Sequence, residues 1–458
     1  MTATAERSGA PPASVFRGPH RATTIGVVII VTLIAFEAMA VATAMPTAVR
    51  ELHGLAYFSW PFTVFFLTSV IGIVVSGDIA DRIGPVRPVL VGLGVFLAGL
   101  LIAGAAPGML AFVAGRAVQG LGAGIEVVAL YVVIGQAYDD ADRPKVFAAV
   151  SAAWVLPAVL GPAAAGLITE HLTWRLVFLG IPPFILLGAL LLVPTLRRLV
   201  PQRRAGRPGA KSRALWSAAA AAGILLLQYA GQHPHWAFLV VAACGLALLV
   251  PALRRLLPAG TTRLRAGLPA VVAFRGLLGG AFFGAEAFLP LTLTTVHGFR
   301  PAQAGLPLTL TALGWTAGSW WQGRRQAGEQ HQLIRAGFVT VGLAVLGLAV
   351  VAQPAVNGWV VAPVWAVAGV GMGLAMSTIS VLVLRFAPPG QQGFASSALQ
   401  ISDVLSGSIC IGLAGVVLGL VARAGGSMSS GILVVNALLA VFALTGAIFA
   451  GRARAPRG

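Results

Sequence analysis

Arg116-Ala117-Val118-Gln119-Gly120-Leu121-Gly122-Ala123-Gly124-Ile125-Glu126 lies inside an apolar run that covers residues 109–137. At about 1.5 Å per residue, a helix of that length exceeds the roughly 30 Å hydrocarbon core of a bilayer. A charged residue at the centre of a spanning helix costs about 2.5–3.5 kcal/mol on insertion scales. Such residues face a bundle interior and mark an ion or substrate path. At 100° per residue, Arg116, Gln119 and Glu126 fall within about 80° of one face, and Gly120 and Gly124 lie on the adjacent one. Glycines there let a neighbouring helix come close. They are not a nucleotide-binding loop, because no strand precedes them. The stretch reads as one buried helix of a polytopic membrane protein.

The rest of the chain has the same character. Of its 458 residues, 58% are hydrophobic and only 10% charged, with a mean hydropathy of +0.90. Soluble domains carry roughly 25% charged residues. Fourteen apolar runs are long enough to span, at about 23–46, 57–77, 88–106, 109–137, 145–168, 175–196, 214–231, 236–253, 268–295, 303–322, 334–353, 358–385, 393–422 and 429–451. With the N-terminus inside, 25 of the 31 Lys and Arg residues fall in cytoplasmic segments, four in outer loops and two (Arg116, Arg275) within spans. That bias supports the even span count and places both termini in the cytoplasm. The net charge of +18 therefore reports topology, and no nucleic-acid partner is expected. Met1 to Arg21 lacks the apolar core of a cleavable signal peptide. Cys244 and Cys410 fall in apolar runs, so no disulfide framework is expected. The histidines lack the spacing of a metal site.

An internal repeat divides the chain. Gly120 to Gly124 returns as Gly369-Val370-Gly371-Met372-Gly373, Glu37 as Glu286, and Gly77 to Arg82, weakly, as Gly318 to Arg325. Repeats of this kind typify secondary transporters. The expected organisation is a cytoplasmic tail (1–22), an N-terminal six-helix half (23–196) and a basic cytoplasmic loop (197–213). Two inserted spans (214–256), a second cytoplasmic loop (257–266), a C-terminal six-helix half (267–451) and a tail (452–458) follow.

Four motifs carry a resemblance. The segment Gly77-Asp78-Ile79-Ala80-Asp81-Arg82-Ile83-Gly84-Pro85-Val86-Arg87, read as the loop between spans two and three, resembles the signature loop of the major facilitator superfamily. Pro85 and Val86 stand where that family usually has basic residues, leaving Arg87. By that resemblance Gly77, Asp81, Arg82, Gly84 and Arg87 form a gating loop. The Arg116-x-x-Gln119-Gly120 pattern resembles the span-four signature of drug/proton antiporters, in which the arginine is implicated in proton transfer. Pro157, Gly161, Pro162 and Gly166 resemble the antiporter helix of span five, with Pro157 and Ala165 replacing two glycines. Trp174-Arg175 resembles the start of span six in the same branch, and equally suits an interfacial anchor.

The fold implied is an all-α membrane protein of the major facilitator type: two six-helix bundles with two additional central spans, 14 transmembrane helices in all. The activity implied is export of lipophilic small molecules, cationic or neutral, in exchange for protons. The proton gradient drives it, no cofactor takes part, and the protein is a monomer in a bacterial plasma membrane. Glu37, Glu126, Glu286, Asp403 and Arg116 are the proton-coupling candidates. An apolar environment favours the neutral form of a carboxyl group, which suits proton exchange. A structural hydrogen bond is the alternative for each acid, and a structural ion pair with Glu37 or Glu126 is the alternative for Arg116. Arg275 stands about 16 Å along the helix from Glu286, too far to pair with it. A symporter importing a small metabolite and a membrane-embedded lipid-handling protein remain the other functional classes. No enzymatic nucleophile-base pair stands out within the spans, and no Gly-x-x-x-x-Gly-Lys-Ser/Thr sequence provides for ATP.

Overall fold

The computed structural model describes residues 16, 20–139, 142–199, 210–233, 238–324, 330–387 and 392–454. Most of the two tails and of the basic 197–213 loop lie outside them. The described residues form helices without strands: α1 (Arg21–Glu51), α2 (Trp60–Ile83), α3 (Val86–Gly104), α4 (Met109–Ala137), α5 (Arg143–His171), α6 (Leu176–Leu179), α7 (Pro182–Arg198), α8 (Ala210–Gln232), α9 (Phe238–Leu256), α10 (Leu268–Glu286), α11 (Leu289–Val296), α12 (Pro301–Gly323), α13 (Gln330–Val351), α14 (Val361–Phe386), α15 (Gln392–Arg423) and α16 (Met428–Phe449).

Among the described residues, thirteen segments are long and apolar enough to cross a membrane. The fourteenth expected span is α12. It has the length, 23 residues, but Thr309, Thr311, Thr316 and four glycines dilute its hydropathy. It packs along α14 and α5 all the same.

Three boundaries differ from the sequence reading. Gly77 to Ile83 is not loop but the last two turns of α2. Nothing in that stretch breaks a helix until Gly84, whose φ of 82° is left-handed and costs glycine no steric strain. Span six is split into α6 and α7, which restarts at Pro182. Span nine is split at Ala287–Phe288 into α10 and α11, with Pro290 near the new start. A proline cannot donate the interior hydrogen bond but fits a first turn.

Helix α1 packs on α5 and α7, and α4 lies between α2 and α3. In the second group α10 packs on α15 and α16, while α14 packs on α12 and α13. α8 and α9 pair with each other, and α8 also touches α2 and α15. The groups meet along two seams, α5 with α12 and α2 with α15. We call the side holding the start of α1 proximal and the opposite side distal. The α5–α12 seam is tight at its distal end. A Cβ on Gly166 would sit 2.5 Å from Ala302 Cα, one on Gly305 would sit 2.5 Å from the Pro162 carbonyl oxygen, and Arg300 Nη1 lies 3.5 Å from Glu170 Oε1. Toward the proximal side, Leu156 and Leu160 of α5 and Leu313 of α12 are exposed.

Candidate functional site

A buried ion pair lies where α1 meets α4. Arg116 Nη1 donates to Glu37 Oε1 and, at 2.5 Å, to Gln119 Oε1. Its guanidinium also lies 4.2 Å from the Phe65 ring centroid, a favourable cation–π placement. Glu37 and Gln119 are 0% exposed and Arg116 2%. Glu37 Oε2, Arg116 Nε and Gln119 Nε2 find no partner among the described residues. A buried ion pair of this kind contributes little net stability, yet losing one partner costs about 3–5 kcal/mol. A proton arriving on Glu37 removes one charge without removing the side chain.

Glycine places this cluster. A Cβ on Gly120 would meet the Phe65 carbonyl oxygen and one on Gly124 the Ser69 carbonyl oxygen, both on α2. On the other flank, Gly115 faces Ala103 and Gly122 faces Phe96, both on α3. Ser76 Oγ adds a 2.8 Å bond to the Ile125 carbonyl.

Glu126 is not part of the cluster. Ten residues of helix carry it about 15 Å from Arg116, and its Oε2 lies 2.8 Å from the Cβ position of Gly92 on α3. It is 0% exposed, and neither carboxyl oxygen has a partner among the described residues.

Asp403 has a partner that sequence spacing did not reveal. Arg275 Nε donates to Asp403 Oδ2 at 2.9 Å and Arg275 Nη1 to Ser380 Oγ at 3.4 Å, tying α10, α14 and α15 together. These side chains are 16% and 12% exposed, so this pair is less fully enclosed than the first. Gly279 leaves room for Asp403 Oδ1. Glu286 stands apart at the end of α10, its Oε2 unpartnered among the described residues.

The remaining motif residues are dispersed. The side chains of Gly77, Asp81 and Arg82 lie outside the described residues, and Arg87 is exposed in the first turn of α3. Pro157 is buried and Gly161 faces Phe36 and Met39 of α1, while Pro162 and Gly166 face α12. Trp174 is fully buried rather than interfacial; its Nε1 donates to Glu51 Oε2 at 2.7 Å, which Arg175 Nη1 also reaches at 3.1 Å. Phe282 stacks on Trp365 at 5.0 Å with both rings buried, so that pair is packing and not pocket wall.

The profile of the Major Facilitator Superfamily matches residues 27–411. The chain belongs to that superfamily. Its members are membrane transporters, and the chain is a multi-pass membrane transporter of this type. It is 25% identical over 405 residues to a probable multidrug-efflux transporter of Mycobacterium tuberculosis, across 81% of this chain and 82% of that protein. A multidrug transporter protein of Bacillus subtilis is 33% identical over 153 residues, 33% of this chain and 28% of the relative. Among solved structures, a POT family transporter superposes with a TM-score of 0.71 at 14% identity, over 95% of this chain and 99% of that one. An auto-inhibited POT family peptide transporter gives 0.71 at 17% identity, over 95% and 98%. At such identities the superpositions establish the major facilitator fold alone.

Proposed function

We propose that this major facilitator protein exports lipophilic small molecules in exchange for protons, as a monomer of the fourteen-span antiporter branch in a bacterial plasma membrane. Both termini are cytoplasmic in this reading, and the distal side faces out. The observation that carries it is the tie between α1 and α4: a carboxylate in the bundle interior, held by one arginine, with a second oxygen free to take a proton. The relatives named as multidrug transporters support the substrate class.

With the distal seam shut, substrate enters from the proximal side and Glu37 gives up its proton to become the partner of Arg116. After the seams exchange, a proton from outside neutralises Glu37, loosens its hold on Arg116 and favours release of the substrate. The return step carries the proton inward. Gly77, Asp81, Arg82, Gly84 and Arg87 act in this reading at the proximal gate, and Asp403 with Arg275 is the second proton-coupling candidate. Glu126 and Glu286, which have no cationic partner among the described residues, are weaker ones.

The test is ethidium efflux in proteoliposomes with an imposed pH gradient. Glu37→Gln abolishes gradient-driven efflux while the protein remains monodisperse. Efflux by Glu37→Gln at the wild-type rate would refute the assignment. Glu126→Gln, Glu286→Gln and Asp403→Asn, assayed in parallel, rank the other acids.

A further inference from the structure

The inserted helix α8 is not a bystander. Gln228 and Gln232 stand one helical turn apart in an otherwise Ala- and Leu-rich segment, so they share a face. That face enters the seam between α2 and α15, where the two side chains are 2% and 6% exposed. Gln228 Nε2 donates to Ser59 Oγ at 2.9 Å, and Trp60 Nε1 donates to Gln232 Oε1 at 2.7 Å. Two side-chain bonds, one buried and one partly buried, thus join α8 to the start of α2. The contact with α15 differs: Arg423 Nη2 donates to the Gln232 carbonyl, and the remaining surface is smooth. Gly412 faces Gln228, Gly231 of α8 faces Val416, and Gly415 receives Ser59.

These contacts all lie at the distal end of the seam, which must open for a substrate to leave on that side. We propose that α8 is the distal latch of the transport cycle: Gln228 and Gln232 position α2 against α15 in the closed state, and opening requires α8 to move with α2 and part from α15. Against the glycine-lined face of α15, the Arg423 bond to the Gln232 carbonyl is the side-chain bond, among the described residues, that the parting must break. The latch is also weak by construction. Gln228 Oε1 and Gln232 Nε2 have no partner among the described residues, and an unmet amide group in a buried site raises the energy of the closed state. The proposal rests on the alternating-access part of the reading above, and not on the substrate or the coupling ion.

The first measurement is therefore free of substrate. Spin labels at Tyr57→Cys and Ala424→Cys, both exposed positions on the distal side, are placed in the full-length Cys244→Ser protein in nanodiscs. With the latch intact, short distances dominate. Gln228→Met/Gln232→Met keeps the volume and removes the bonds, and the ratio of long to short distances rises about tenfold, on the scale of one or two buried hydrogen bonds. An unchanged distribution in a monodisperse variant overturns the proposal.

The second measurement covers failure of that variant to fold. A Cβ on Gly412 would lie 3.9 Å from Gln228 Cβ, within disulfide range. Oxidised Gln228→Cys/Gly412→Cys protein loses ethidium efflux and regains it on reduction. Equal efflux in the two forms sinks the latch. Wild-type protein that moves no ethidium counts against the proposed substrate class and leaves the label distances to decide the latch.

Discussion

Arg116 and Glu37 are 79 positions apart in sequence, yet each supplies the other's charge partner in a region that water does not enter. The physics of such a pair is asymmetric: the whole pair is nearly neutral in stability, and half a pair is expensive. Arg116→Met therefore lowers the apparent Tm in detergent strongly, on the order of 3–5 kcal/mol. Glu37→Gln/Arg116→Met recovers part of that loss, because the orphaned carboxylate goes with its partner. Additive losses in thermal melts of the three proteins would contradict the buried pair. Glu126→Gln behaves differently. Its carboxyl oxygens have no partners to lose among the described residues, so the melt falls by well under the roughly 3–5 kcal/mol of Arg116→Met. The sequence exposed these acids as out of place and offered Glu37 and Glu126 alike as partners for Arg116, without choosing between them. Helical periodicity assigns a residue to a face, and the angle between two helices decides which partner that face meets. The same periodicity grouped Glu126 with Arg116, although the rise along the axis separates them by about 15 Å.

Helix α4 shows what was legible at the scale of an element. The glycines at 120 and 124, four residues apart, announced a close helix contact, and their echo at 369 and 373 announced a second one. Gly369 and Gly373 of α14 face the carbonyl oxygens of Thr311 and Trp315 on α12, as Gly120 and Gly124 face those of Phe65 and Ser69 on α2. Because backbone and not a flexible side chain occupies the space, even one methyl group must push helices apart. Gly124→Ala and Gly373→Ala each cost about 1–3 kcal/mol. Gly94→Ala and Gly135→Ala are the controls: nothing lies within 4 Å of either Cβ, so each gains up to about 1 kcal/mol of helix propensity. Denaturation of the four variants in one detergent checks the contrast, which fails if all four shift alike. The gating segment was less legible. Its polar residues suggested a loop, but helix continues to Ile83 because only Gly84 adopts a left-handed φ.

At the scale of the whole molecule, helical class and thirteen of the fourteen expected spans were readable because hydropathy is a local sum. The closed distal side was not, since it depends on how helices far apart in sequence pack against each other along the seams. The antiporter-like positions of α5 gain their meaning there. Pro162 and Gly166 form the face that meets Gly305 and Ala302 of α12, and Thr43 of α1 lies under the same contact, 1% exposed. A side chain at 166 would have to enter space held by the Pro301 carbonyl and the Ala302 backbone, so it penalises only the state in which this seam is shut. Gly166→Leu should thus favour the distal-open form by about 1–3 kcal/mol of relieved overpacking, roughly a tenfold change in population for each 1.4 kcal/mol. The reporter is Thr43→Cys in a Cys244→Ser background, modified by a membrane-impermeant maleimide added from the distal side. Modification is slow when Gly166 is retained and accelerates about tenfold or more in the Gly166→Leu variant, whereas Gly108→Ala, a distal position with open space around it, leaves the rate unchanged. Equal rates with and without the Gly166→Leu substitution would mean that α5 and α12 do not separate in the cycle, and that the resemblance of α5 to an antiporter helix reports packing alone.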